Sequence, residues 1–204
     1  MHISDVSLIG WFHTIACIAA LVFGGWNIVA VKGTASHRLR GTGYAVTMVV
    51  AMGLSFGIYR FDIPLVRGAK SAAGVFGFFH WLSVAAIVLT VLGYYAASRQ
   101  QRGFWAYTHP IAMTVSYYLL VGGLINELFA RLSILRPFAF TVINGQRVFG
   151  TTRAIQMTHL ANELAAFLLL ILFTAKVWRY RRHKRTATQA LNAIGANESP
   201  APPA

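Results

Sequence analysis

Five long apolar runs, separated mostly by short polar loops, constrain this sequence more than any other feature. The hydrocarbon core of a bilayer is crossed by a helix of roughly 20 predominantly apolar residues, and each run approaches or reaches that length. The sequence therefore predicts an all-α fold, an integral membrane helical bundle of five transmembrane helices. The predicted spans are about 7–31, 41–59, 73–97, 109–130 and 157–178.

Charged residues are scarce and lie mainly outside these runs. Of the 204 residues, 56% are hydrophobic and 11% are charged, whereas soluble domains carry roughly 25% charged residues. One membrane domain, 1–185, is predicted, followed by a small, polar, proline-rich tail, 186–204, that is predicted to be disordered. The net charge of +13 does not indicate nucleic-acid binding, because the cations lie in loops and at span ends, as is usual for membrane proteins.

Lysine and arginine are divided unequally between the two sets of loops. With the N-terminus outside, eleven of them fall on the inner side and seven on the outer side, and the cytoplasmic side normally carries the excess. The sequence thus predicts a multi-pass protein of a bacterial inner membrane with an outer N-terminus and a cytoplasmic C-terminus. The longer loop 131–156, with its turn-like pair Asn144-Gly145, is predicted to form a small outer cap or hairpin.

Histidines fall on four consecutive spans in an alternating pattern. His37 and His109 lie at the inner ends of spans two and four, and His80 and His159 lie in the outer thirds of spans three and five. At 1.5 Å per helical residue the two tiers are roughly 20–27 Å apart. Alternate spans can be opposed across a bundle, so each tier can hold one flat macrocycle between two imidazoles.

Local signals relate two of these histidines to helix starts. Thr34 and Ser36 are candidate caps that would begin helix two early enough to include His37. Pro110 suits the first position of helix four and would leave His109 beside the cap, at the membrane boundary.

Haem b fits this pattern, because it takes two neutral axial imidazoles and needs no covalent attachment. The single Cys17 excludes the CxxCH attachment of c-type haem. The sequence therefore predicts a transmembrane electron-transfer protein, an oxidoreductase if it is an enzyme, with two haem b sites and a quinone or redox protein as partner. Nearby arginines are candidate partners of the haem propionates: Arg38 and Arg40 inside, and Arg147 and Arg153 outside.

The outer tier also permits a different chemistry, because it holds the two acids that fall within the spans. His159 and Glu163 are four residues apart on one helical face, a spacing that can present two ligands to one metal. The alternative is an intramembrane enzyme that uses a Zn or Fe ion and a glutamate as general base. Its candidate ligands are His13, His80, Glu127, His159 and Glu163. Two further alternatives stay open: the acids could serve a proton path or quinone pocket, and the chain could be a structural or accessory subunit.

Two resemblances accompany these patterns. The alternation of one histidine on each of four spans resembles the di-haem transmembrane cytochromes b that include the ascorbate-dependent ferric reductases. Over about 37–178, it implies that His37 pairs with His109 and His80 with His159. The segments KGTASHRLRGTGY and THPIAMTVSYY are similar to a bacterial family of membrane proteins, domain of unknown function 2306, over about the first four spans. That family brings no established chemistry, and His13 has no counterpart in the cytochrome pattern.

Overall fold

The computed structural model describes residues 7–58, 78–99, 103–143, 145–150 and 152–197. Within these ranges the chain forms five α-helices and a two-stranded hairpin. The helices are α1 (Leu8–Val29), α2 (Ala35–Ser55), α3 (Phe78–Ser98), α4 (Trp105–Arg131) and α5 (Arg153–Asn197). A 3-10 turn at Arg136–Phe138 leads from α4 into the hairpin strands β1 (Phe140–Ile143) and β2 (Gln146–Phe149).

The predicted helical class is confirmed, and the five spans are confirmed in part. Among the described residues, four helical segments are long and apolar enough to cross a membrane: Leu8–Val29, Phe79–Ser98, Trp105–Ala130 and Arg153–Gln189. α2 is not one of them, since its first seven residues, ASHRLRG, are mostly polar or small. Parts of two predicted spans, residue 59 and residues 73–77, lie outside the described residues.

Consecutive helices run in opposite directions and pack side by side. α1 packs along α2, α2 along α3, α3 along α4 and α4 along α5, and α1 also contacts α4. We call the end where α1 stops and α2 begins the basic end, since Lys32, Arg38 and Arg99 lie there. The opposite end, which carries the hairpin, is the hairpin end.

Small residues on α1 let it approach α2 and α4 closely. Ala16, Ala20 and Gly24 form its buried face. A Cβ atom at Gly24 would lie 2.5 Å from ring carbons of Tyr117 and 3.0 Å from a ring carbon of Tyr44, so no larger residue fits without displacement. In a membrane, where lipid is as apolar as a helix surface, such close packing is a main source of helix association.

The hairpin confirms the structure predicted for loop 131–156. Ile143 pairs with Gln146, which leaves a two-residue turn, and Gly145 has a φ of 77°. Glycine is favoured in this left-handed region because it lacks a Cβ atom. Asn144, the other predicted turn residue, lies outside the described part of the chain. Buried Ala139 joins the hairpin to the bundle through a cluster with Ile125 and Ile155.

Two predicted helix boundaries differ from the structure. α4 begins at Trp105, so Pro110 lies inside the helix and not at its first position. The first turn supplied by Trp105 to Thr108 extends the helix ahead of His109. At the other boundary, α5 continues to Asn197, past residue 186, where the disordered tail was predicted to begin. The segment TATQALNAIGAN contains alanine, leucine and glutamine, which have good helix propensity. Residues 198–204 lie outside the described chain.

Candidate functional site

A cavity of about 1020 Å³ lies at the basic end, between α1, α2, α4 and α5. This volume is at the upper end of the range found for ligand pockets, roughly 300–1,000 Å³. Both histidines of the predicted inner tier line it: His37 from the first turn of α2 and His109 from the second turn of α4. The structure therefore brings together two residues that are 72 positions apart in the chain.

The two imidazole rings lie close together in an edge-to-face arrangement. Their centres are 6.4 Å apart and their planes are inclined by 85°. The Nδ1 of His109 donates a hydrogen bond of 2.8 Å to the carbonyl oxygen of Gly93 on α3. This bond leaves the Nε2 of His109 as the nitrogen available to a ligand. Carbonyl acceptors of this kind commonly fix the ring of a metal-binding histidine.

His37 is held by its backbone and not by its ring. The side-chain oxygen of Thr34 accepts a hydrogen bond of 3.1 Å from the His37 backbone N–H, so Thr34 caps α2 as predicted. The Nδ1 of His37 is buried, and no hydrogen-bond partner for it occurs among the described residues. A buried nitrogen without a partner costs free energy, and such atoms in native proteins often indicate a missing ligand or water.

Three cations line the same cavity: Lys32, Lys176 and Arg181. The Nζ of Lys32 donates to the carbonyl oxygens of Asn27 and, at 2.9 Å, of Ile28, so it caps the end of α1. The same ammonium group lies 5.0 Å from the ring centre of Phe173 on α5. Burial and the nearby charge of Lys176 lower the pKa of Lys32. In the described part of the chain no carboxylate pairs with these cations, so an anionic ligand would relieve their repulsion.

The walls of the cavity are mostly apolar and aromatic. Gly24, Tyr44 and Tyr117 form its deep side. The hydroxyl of Tyr44 lies 2.8 Å from the Ser116 hydroxyl, and the hydroxyl of Tyr117 donates to the carbonyl oxygen of Leu21 at 3.2 Å. Because both tyrosines use their hydroxyls within the bundle, the two rings are held in place, and their faces are the groups left to contact a ligand.

The arginines predicted as propionate partners do not line this cavity. Arg38 is exposed, and the guanidinium of Arg40 lies 4.1 Å from the ring centre of Trp26. Arg153 is exposed at the start of α5, at the hairpin end. The side chain of Arg147 lies outside the described part of the structure. The sequence counted the three cavity cations only among the inner-side charges, because no local signal shows which side chains of α5 and of the α1–α2 loop come close to His37.

The histidines of the predicted outer tier lie in separate helix interfaces. His80 is fully buried, with its ring centre 5.3 Å from that of Phe56, in the region where α2 and α3 meet. The Nε2 of His159 donates to the side-chain oxygen of Asn126 at 3.0 Å, between α5 and α4. His80 therefore lies between α2 and α3, and His159 lies between α4 and α5. Their pairing around a second haem stays a prediction.

The residues of the alternative metal site do not form a metal-binding group in the described part of the chain. His13 donates from Nδ1 to the carbonyl oxygen of Ala51 at 2.8 Å, and Glu163 accepts a hydrogen bond of 3.5 Å from Tyr118. Across the residues that the structure describes, no group of three or more His, Cys, Asp or Glu side chains is placed to hold a metal ion. The structure therefore gives the metal-enzyme alternative no support.

Comparison with known proteins supplies no relative for this chain: no family model, curated protein or solved structure matches it. The two resemblances drawn from its sequence thus stay predictions, and the arguments for its function rest on the cavity and the residues around it.

Proposed function

We propose that this chain is an integral membrane protein that binds haem b between His37 and His109 and takes part in electron transfer. The observation that carries this proposal is the separation of 6.4 Å between the two imidazole centres in a cavity of about 1020 Å³. Imidazoles that bind opposite sides of one metal, through bonds of roughly 2 Å, have ring centres roughly 6 Å apart. The observed spacing therefore suits one iron between the rings.

Each group around the cavity has a definable part in holding such a cofactor. The bond from His109 to Gly93 fixes the ring and makes its Nε2 a better ligand. Lys32, Lys176 and Arg181 provide positive charge for two propionates, in place of the predicted Arg38 and Arg40. Gly24, Tyr44 and Tyr117 contribute apolar surface to the cavity wall against which a macrocycle could pack. When bound, haem b supplies a one-electron redox couple.

The membrane placement is part of the same proposal. Four helices have the length and composition to cross a bilayer, and we place α2 beside them because it packs between α1 and α3. The predicted orientation puts the basic end in the cytoplasm of a bacterial cell. A reporter that is active only in the periplasm should be inactive when fused after residue 204. Strong activity there would show that the orientation is the opposite of the predicted one, and it would leave the haem proposal unchanged.

The visible spectrum of the purified protein tests the haem site. The reduced protein should show the sharp bands of low-spin haem with two imidazole ligands. His109→Gln should lower haem content at the basic end about tenfold or more, because one of the two axial ligands is lost. The matched control is His183→Gln, since His183 is exposed on α5 away from the cavity. A colourless protein made with ample haem would refute the proposal.

A further inference from the structure

The cavity is closed by helix packing on some sides and open beside α5. α2 and α4 each pack against α1, and α5 packs against α4, but within the described residues α5 forms no comparable interface with α1 or with α2. Across this gap the ammonium group of Lys32 lies over the ring of Phe173, 5.0 Å from its centre. The cavity therefore opens sideways, between the C-terminal part of α1 and the middle of α5.

On the proposed membrane placement, the lateral gap extends from the membrane interface into the hydrocarbon layer. Trp26 and Trp178 are exposed. The guanidinium of Arg40 lies 4.1 Å from the ring centre of Trp26, and that of Arg182 lies 5.4 Å from the ring centre of Trp178. Exposed tryptophans with adjacent arginines are typical of the membrane interface. Phe173 precedes Trp178 by five residues, so it lies roughly 7.5 Å deeper along the helix.

The surfaces that border the gap match an amphiphile. Ile28 and Val31 on the α1 side, and Phe173 and Val177 on the α5 side, are apolar and line the cavity. Lys32, Lys176 and Arg181 also line the cavity, and they have no acidic partner in the described ranges. The described acids Glu127 and Glu163 belong to the hairpin-end halves of α4 and α5. The site therefore suits a molecule with an apolar body and an acidic group.

α5 is attached to the bundle on the side away from the gap. Arg181 donates from its guanidinium to the carbonyl oxygen of Gly103, ahead of α4, and lies 5.8 Å from the ring centre of Tyr107. This contact fixes α5 to α4 and not to α1. The gap can consequently admit a molecule without breaking the α4–α5 interface.

We infer that acidic amphiphiles dissolved in the bilayer enter the cavity laterally between α1 and α5. The inference rests on the membrane placement in the proposed function. Acyl chains of anionic lipids occupy the gap in the haem-free protein, and haem, itself an acidic and largely apolar molecule, displaces them. The ligand thus reaches His37 and His109 from the hydrocarbon layer.

Photo-crosslinking in lipid vesicles tests this entry route without requiring haem. A benzophenone amino acid at Val177, which lines the cavity, should form adducts with phospholipid in haem-free protein. The same probe at Met48, which is fully buried in the core, should form no lipid adducts. At Leu172, which is exposed and precedes Phe173 of the cavity wall, the probe should form lipid adducts. Absence of adducts at Val177, with adducts present at Leu172, would overturn the inference and leave the haem proposal standing.

Vesicle composition and haem loading separate the sources of the signal. With equal phosphatidylglycerol and phosphatidylcholine, adducts at Val177 should be enriched in the anionic lipid about fivefold, and Lys176→Met should reduce that enrichment. Haem loading should remove most adducts at Val177 but not those at Leu172. Adducts that persist in haem-loaded protein would overturn the route to the histidines. A protein that forms the adducts but never takes up haem would refute the proposed function and retain the lateral opening.

Discussion

At the basic end, His37 and His109 meet across a cavity of about 1020 Å³, whereas at the hairpin end His13 and His159 are each hydrogen-bonded within a helix interface. The chemical groups at the two ends are similar. The difference is in the surroundings of the rings, because His37 and His109 line a cavity large enough for a ligand and His13 and His159 do not line it. The spacing of histidines along the sequence does not separate these two cases, because both place an imidazole on an inward-facing helical position.

The cavity exists because α5 packs against α4 and forms no comparable interface with α1 or α2 in the described part of the chain. At the hairpin end, buried Ile155 and Ala139 close the bundle, with Phe129 beside them. Near the basic end, the corresponding positions of α5 are Phe173 and Lys176, which border the cavity. The hairpin thus seals one end of the helix pair, and the other end stays open to a ligand.

The largest expected effect comes from replacing histidines with glutamine and comparing the two ends. His37→Gln and His109→Gln should each abolish the same haem signal, and the double variant should lose no more, because the two ligands act as a unit. His159→Gln should leave that signal intact. Haem content and the reduced spectrum measure all four proteins. A loss of about half the absorbance in His159→Gln would instead indicate a second haem at the hairpin end, as the histidine alternation predicts.

A second comparison concerns helix packing near the cavity. Gly24→Ala should lower the free energy of unfolding by about 1–3 kcal/mol, because the added methyl group would displace the Tyr117 ring. The control is Gly123→Ala, where a Cβ atom would meet nothing within 4 Å. There the change should be neutral or stabilising by up to about 1 kcal/mol. Unfolding in denaturing detergent measures both, and equal effects would contradict the close packing of Gly24.

The two ends have buried hydroxyl pairs that are supported in the same way. Tyr44 bonds to Ser116 near the cavity, and Ser55 lies 2.7 Å from Ser83 toward the hairpin end. Tyr44→Phe and Ser55→Ala should each cost about 0.5–1.5 kcal/mol, since the partner serine keeps a carbonyl acceptor in both pairs, Met113 for Ser116 and Phe79 for Ser83. Double-mutant cycles with Ser116→Ala and Ser83→Ala measure the two couplings. Couplings that differ by more than about 1 kcal/mol would contradict this equivalence.

The smallest effect is a dependence on alkaline pH at the basic end. The pKa of Lys32 is lowered in the folded protein from its ordinary value of 10.5, so the unfolded chain binds more protons in the interval between the two values. The stability of haem-free protein should therefore rise with pH across that interval. Thermal unfolding measures the rise, which Lys32→Met should reduce. An unchanged slope in that variant would show that Lys32 is not the group responsible.

Much of the fold could be predicted from the sequence because apolar length and helix caps are local properties. The five helices, the hairpin and the cap of Thr34 follow from such signals. Residues that meet through tertiary packing were harder to predict. Lys32 was counted as a loop cation, yet its Nζ folds back onto α1 and faces the cavity. A stripe of Phe173, Val177 and Arg181 at helical spacing was a usable signal, but helical spacing alone does not show that this face of α5 borders a cavity.

Of the two histidine pairs that the sequence predicts, the structure brings one together in a cavity. The pairing of His37 with His109 in one cavity agrees with the alternation of histidines, since alternate helices of an antiparallel bundle bring the same end together. The assignment of Arg38 and Arg40 to the ligand relied on their nearness to His37 in sequence. On a helix, however, adjacent residues point about 100° apart, so Arg38 turns away from a ligand of His37. Arg38 is accordingly exposed. Arg40, three residues after His37, lies instead over the ring of Trp26.

α5 is 45 residues long, which corresponds to roughly 67 Å, about twice the thickness of a bilayer core. On the proposed membrane placement, the nearly 20 residues beyond Trp178 form a rod outside the hydrocarbon layer, and Thr188 and Gln189 within this rod still line the cavity. An α-helix with continuous backbone hydrogen bonds transmits displacement along its axis. A push or a twist on residues 186–197 would thus move Lys176 and Arg181 as well, and this rod is a mechanical lever on the cavity wall.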